Sequence, residues 1–152
     1  PATAEIVRMY GGDPGPLTEP DMERSKKWVE WLAAHPFARI IEVNSEPVGH
    51  VRLHALNETD RKAKLAIGLF TDDSLGKGIG RQAIRLTLDH AFGPMNLHRV
   101  ELRVLSFNQR AIRCYRACGF SHEGIERESA FIAGEWHDDW IMGILDHEHF
   151  ER

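Results

Sequence analysis

"AKLAIGLFTDDSLGKGIGRQAIRLTLDHAF" (residues 63–92) decides how the rest of the chain is read. It opens on an apolar run of strand type, residues 63–70. It closes on an amphipathic run from Ile79 to Phe92, whose spacing predicts a helix with Ile79, Ala83, Leu86 and His90 along one stripe. Between the two, Gly76, Gly78 and Gly80 take three side chains out of one turn flanked by Lys77 and Arg81. Glycines cost chain entropy and are tolerated where backbone must bend sharply or approach something closely.

Three readings compete for this unit. A Walker phosphate loop needs two glycines four residues apart followed by Lys and Ser/Thr, an order that "GKGIGRQ" lacks. A dinucleotide fingerprint needs Gly-x-Gly-x-x-Gly close behind a strand, whereas here the spacing is Gly-x-Gly-x-Gly and "TDDSLG" intervenes after Phe70. The third reading keeps only the physics: N–H groups at a helix N-terminus, the helix dipole, Lys77 and Arg81 suit the oxygens of a diphosphate. Taken alone, the motif fits a plain glycine-rich helix start equally well.

Outward from this stretch, Thr18 and Asp21 stand at capping-box spacing, Trp28, Trp31 and Leu32 at helical spacing, and Pro36 stops the segment, which predicts a helix. "FARIIEV", a turn at "NSEP" and "VGHVRLHAL" predict a hairpin in which Val51, Leu53 and Ala55 alternate with His50, Arg52 and His54. "HRVELRVLSF" reads as a strand, with Val100, Leu102 and Val104 on one face. In "NQRAIRCYRACGF", Asn108 is an N-cap, Ala111, Tyr115 and Cys118 share a helical face, and Gly119 ends the helix. "ESAFIAGEWHDDWIMGIL" gives two strands joined at Gly134. The order of helix, three strands, helix, strand, helix and strands predicts a mixed α/β sheet with helices packed on it.

The chain has 152 residues, 42% of them hydrophobic and 28% charged, which suits one globular domain with a real core. A net charge of −4 argues against a nucleic-acid binder with a broad basic surface. No signal peptide or long apolar span is visible, and the two cysteines predict no disulfide framework, so a reduced, cytoplasmic setting without a membrane partner is expected. Cys114 and Cys118 with nine histidines do not form a zinc-ligand pattern, so no metal is expected, and "DHEHFE" reads as a solvated tail. Trp136 reads as a core or homodimer-interface aromatic, with the lining of an acceptor groove as the alternative, and Asp138 and Asp139 as solvated strand ends or attractors of a cationic acceptor.

Three segments, "LGKGIGRQAI", "LHRVELRVLSFNQRAIRCYRACGF" and "ESAFIAGEWHDDWIMGIL", jointly resemble the GNAT superfamily of acetyl-CoA-dependent N-acetyltransferases, in its ribosomal-protein alanine N-acetyltransferase (Rim-like) branch. The resemblance covers about residues 37–145. It implies a single N-acetyltransferase domain over residues 1–152, built on a mixed, mostly antiparallel sheet flanked by helices. It implies that Gly76, Lys77, Gly78, Ile79, Gly80 and Arg81 bind the coenzyme A diphosphate, that Asn108 lies near the pantetheine arm, and that Tyr115 is the general acid. Backbone N–H groups around Leu69, at a strand end that splays from its neighbour in this family, would polarise the thioester carbonyl. The family's first strand and first helix ahead of "EIVRMYGG" are not visible, and the chain begins at Pro1 rather than Met, so that part is expected to be trimmed or absent. Many relatives carry Glu where this chain has Lys64, and position 75 is Leu rather than Gln, Arg or an aromatic.

The implied reaction moves acetyl from acetyl-CoA to a primary amine by direct attack in a ternary complex. An α-amine titrates near ~8 and a lysine amine near ~10.4, so without a strong base a protein N-terminus is the favoured acceptor. A small amine such as a polyamine, aminoglycoside or amino acid is the alternative. Base candidates are His50, His54, His122, Glu123 and Glu128, or a water chain. A reading of another class, a non-catalytic acyl-CoA-sensing module, rests on the Glu missing at Lys64, and the intact Asn108 and Tyr115 count against it.

Overall fold

The computed structural model describes residues 22–70 and 76–151, so Thr18, Asp21, Leu75 and "EIVRMYGG" lie outside the described residues. Helix α1 (Met22–Ala33) precedes strands β1 (Phe37–Val43), β2 (Glu46–Asn57) and β3 (Lys62–Leu69). Helix α2 (Ile79–Phe92), β4 (Arg99–Leu105) and helix α3 (Gln109–Ala117) follow, then β5 (Ser121–Ile132), β6 (Glu135–Leu145) and a short helix α4 (Asp146–Phe150). The strands form one six-stranded sheet in the order β1-β2-β3-β4-β6-β5. Only β3 and β4 run parallel; the other neighbours are antiparallel. The mixed α/β sheet expected from the element order is the one observed, with the mostly antiparallel pairing that the family resemblance implies.

Turn chemistry explains the hairpins. Asn44 and Ser45 both have positive φ (53° and 68°), as do Ala133 and Gly134 (50° and 81°), the backbone that two-residue hairpin turns require. Alternation then buries Val51 and Leu53 on one face of β2 and turns His50, Arg52 and His54 to the other. It fails at Ala55, expected inside but exposed with φ 52°, where the β2–β3 register shifts between His54 and Asn57.

The core lies between the sheet and helices α2 and α3, with Leu53, Ile84, Leu88, Val100, Ile112, Met142 and Ile144 at most 1% exposed. Burying each such side chain contributes roughly 1.5–3 kcal/mol. The docking face of α2 differs from the predicted stripe. Ala83, Ile84, Thr87, Leu88 and Ala91 face the sheet, while Leu86 is 69% exposed and Ile79 is half-buried at the helix mouth. The true stripe is displaced by one residue, because the i, i+4, i+7 series of Ile84, Leu88 and Ala91 offers a continuous apolar face and the series through Leu86 does not. Other corrections concern the C-terminal third. The "DHEHFE" tail is a docked helix whose His149 Nε2 lies 2.7 Å from Asp89 Oδ1 on α2. Trp136 is 61% exposed and pairs with Phe131 (ring centroids 4.8 Å apart) beside the β5–β6 turn, outside the core.

Helix α1 covers the other face of the sheet. Trp28 packs edge-on against His50 (5.3 Å) and Phe70 (6.1 Å), and the Arg52 guanidinium lies 4.8 Å from the Trp31 ring. Gly68 makes this contact available, since a Cβ there would stand 2.8 Å from His50 Nε2. No helix among the described residues is long and apolar enough to cross a membrane.

Candidate active site

Strands β3 and β4 pair only over Lys62–Lys64 and Arg99–Glu101, and beyond these residues they part. The separation opens a cleft through the middle of the sheet, and two cavities occupy it. The first, about 400 Å³, is walled by Ile67 and Leu69 of β3, the glycine turn at the start of α2, and residues 110–115 of α3. The second, about 300 Å³, is walled by both separated strand halves, Leu65–Ile67 and Arg103–Leu105, together with His54, Lys64 and Asp139. Ile67, Asn108 and Tyr115 line both cavities.

Local sequence accounts for each wall. Gly76 and Gly78 adopt left-handed backbone (φ 73° and 77°) with open space where a Cβ would stand, so the constraint there is backbone conformation rather than crowding. Gly78 is the N-cap of α2 and, having no side chain, supplies no side-chain cap to the amides of the first helical turn. A helix start of this kind suits an anion. Gly80 packs α2 against α3, a Cβ at that position lying 3.5 Å from Cys114 Sγ. Asn108 is 5% exposed, and its Oδ1 accepts a hydrogen bond from Ala111 N–H at 3.2 Å, which starts α3 and orients Tyr115 two turns on. Tyr115 is 7% exposed and packs on Phe120 at 5.9 Å.

Of the residues expected at the cofactor site, Leu69, Gly76, Gly78, Ile79, Gly80, Arg81, Asn108 and Tyr115 border the first cavity. Lys77 is exposed and does not. The base candidates scatter. His54 alone reaches a cavity, the second one. Burial, followed by the nearby charges of Arg52, His35 and Lys64, pushes its pKa below the ordinary 6.5, so it is neutral at pH 7 and able to accept a proton. His50 is enclosed by α1. His122 lies on β5 against Trp140 (4.2 Å), Glu123 is held by the Arg99 guanidinium at 2.6 Å, and Glu128 donates its backbone N–H to Asp138 Oδ1.

Two features refine the chemistry. The Cys114 thiol is pushed well above its usual range by its contact with Cys118 and by burial, the opposite of an activated nucleophile. Asp139 borders the second cavity, where its Oδ2 accepts from Ser129 Oγ at 2.8 Å. Arg103, Arg110 and Arg113 were not singled out by sequence; all three line cavities. Arg110 and Arg113, three residues apart and just after the Asn108 cap, carried a helical-face signal that the glycine turn overshadowed. Among the described residues, no group of three or more His, Cys, Asp or Glu side chains is arranged to hold a metal ion.

Comparison with known proteins agrees with this geometry. Over 110 residues the chain is 33% identical to spermidine N(1)-acetyltransferase of Escherichia coli K12, covering 72% of this chain and 59% of that protein. The chain thus spans about three fifths of the length of that relative. The crystal structure of spermidine N-acetyltransferase from Vibrio cholerae in complex with CoA and spermine superposes with a TM-score of 0.79 at 26% identity, over 96% of this chain and 85% of that one. A putative ribosomal N-acetyltransferase, YdaF of Bacillus subtilis, is 29% identical over 66% of this chain and 54% of its own. The motifs therefore point to the right superfamily, but the comparisons do not favour the ribosomal branch over the spermidine enzymes. The family model that matches residues 4–120, from well ahead of α1 to the close of the α3 segment at Phe120, makes the chain a member of the acetyltransferase (GNAT) family.

Proposed function

We propose that this chain is an acetyl-CoA-dependent N-acetyltransferase that acts on a small polycationic amine of the polyamine class. The observation that carries the reading is the sharing of Tyr115 between the two cavities at the β3–β4 parting. The first cavity fits coenzyme A: it brings the glycine-turn start of α2 together with Arg81, Arg110 and Arg113, and among the described residues no carboxylate lines it. Acetyl-CoA supplies the activated acetyl group. Backbone amides near Leu69 polarise its carbonyl, Tyr115 donates a proton to the departing sulfur, and neutral His54, directly or through water, takes the proton from the attacking amine. The Cys114 thiol of the first cavity is not an activated nucleophile, in keeping with direct transfer.

For the acceptor, the spermidine enzymes among the relatives support a polyamine over the protein N-terminus that the lack of a strong base suggests. Asp139, which lines the second cavity with Tyr115, supplies a carboxylate for a second ammonium group. The Arg103 charge is met by Glu126. We expect Asp139→Asn to raise KM for spermidine about tenfold with a small change in kcat, the size of one partly exposed charge-assisted contact. An equal loss on a monoamine would remove Asp139 from acceptor binding. The overall test is thiol release from acetyl-CoA with spermidine, spermine, aminoglycosides, amino acids and peptides starting in Ala or Ser. Turnover confined to peptides would overturn the polyamine assignment, and coenzyme binding with no turnover on any acceptor would overturn the enzymatic one.

A further inference from the structure

The second cavity is lined by charges of both signs, and the strand registers place them. Lys64 of β3 lies opposite Glu101 of β4 in the last pair before the two strands part, and opposite His54 of β2 on its other flank. Asp139 of β6 lies opposite Leu105, four residues farther along β4. At about 3.3 Å per residue, the two positions are about 13 Å apart along that strand. Partners in register share a sheet face, as do residues two or four apart, so Lys64, His54, Glu101, Arg103 and Asp139 all stand on the same one. Of these charges, Glu101 is held by Arg99 at 2.9 Å and Arg103 by Glu126. Lys64 and Asp139 are both half-buried where they line the cavity. The Lys64 charge reaches inward: after burial, and with Arg52 and His35, it lowers the proton affinity of His54.

We infer that Lys64 is a specificity-determining residue that bars an ammonium group from the inner end of the acceptor cavity and thereby directs the second charge of a polyamine to Asp139. The inference rests on the polyamine reading of that cavity. Ile67, Asn108 and Tyr115 line both cavities, so the acetyl group is delivered beside them. Ile67 is three residues past Lys64 on β3, about 10 Å along the strand. From the point of transfer the tail of the acceptor thus has two ways to run, back along β3 to Lys64 or across β4 to Asp139. Two half-buried cations repel where water screens them little, whereas a carboxylate attracts. Lys64 closes the first way, and selectivity comes from this repulsive group as much as from the attractive one.

The test is steady-state kinetics at pH 8, where His54 stays neutral, with spermidine and butylamine as acceptors. It compares the wild-type chain, Lys64→Met, Lys64→Glu, Asp139→Asn and the double variant of Lys64→Glu with Asp139→Asn. The ratio of kcat/KM for spermidine to that for butylamine should rise about tenfold in Lys64→Met and further in Lys64→Glu. The Asp139→Asn penalty in KM for spermidine, about tenfold in the wild type, should shrink to about twofold beside Lys64→Glu, because the tail then has a second carboxylate to meet. A ratio unmoved in both Lys64 variants, or an Asp139→Asn penalty of equal size in both backgrounds, would overturn the inference and leave the polyamine reading standing. Spermidine turnover in the Lys64 variants but not in the wild type would support the exclusion and overturn the polyamine reading. No spermidine turnover in any of them would overturn both.

Discussion

Tyr115→Phe is expected to lower the single-turnover rate of acetyl transfer by roughly 10- to 1,000-fold while leaving the affinity for acetyl-CoA nearly unchanged. The substitution removes one oxygen and keeps the ring that packs on Phe120 inside a 7% exposed site, so the fold survives. Its position makes the oxygen informative: Tyr115 borders both the cavity assigned to the coenzyme and the one assigned to the acceptor. A thiol of pKa about 8.5 is a fair leaving group, so proton donation assists departure rather than enabling it, which is why the range does not extend higher. A single-turnover rate is the proper readout because slow product release hides an effect on chemistry. An unchanged rate would remove Tyr115 from proton transfer. A matched loss of acetyl-CoA affinity would recast it as a wall of the coenzyme cavity.

Local chemistry explains why much of this site was legible in the sequence. Gly76 and Gly78 announce left-handed backbone, Asn108 announces a helix start, and Tyr115 follows on the buried face of that helix. These signals depend on neighbours in the chain, and the structure keeps them. What the sequence hides depends on partners far away along it. His50 and His54 alternate identically on β2, yet α1 closes over the first while the β3–β4 parting exposes the second to a cavity. Glu123 resembles a free carboxylate until Arg99, 24 residues upstream, binds it. Lys77 and Arg81 look equivalent beside the glycines, but only Arg81, inside the helix, turns to the cavity. The α2 face was misplaced because two apolar series one residue apart compete in the sequence, and the complementary surface of the sheet chooses between them.

Acid should weaken the fold well before carboxylates titrate. Burial, and secondarily the Arg52 charge, lowers the His50 pKa from 6.5 to about 4, and its Nδ1 is buried without a hydrogen-bond partner. Between those two values the unfolded chain binds a proton that the folded chain refuses, so stability rises with pH across the window and falls as pH drops through it. His54 is shifted in the same direction and adds the same sign. Discounted for partial exposure, the His50 contribution is about 2 kcal/mol lost between neutral pH and pH 4. Urea unfolding at pH 7.5 and pH 5 measures it. His50→Phe, set among Trp28 and Phe70 over Gly68, removes the titration and should narrow the gap between the two pH values. A gap of the same size in the variant would assign the acid loss to other groups. The window isolates the histidines: Glu123, whose carboxyl is held below the usual 4.5 by Arg99, contributes fully above that value and is lost only further down. A decline already present at pH 5 therefore reports on the face of the sheet beneath α1, not on the β4–β5 ion pair.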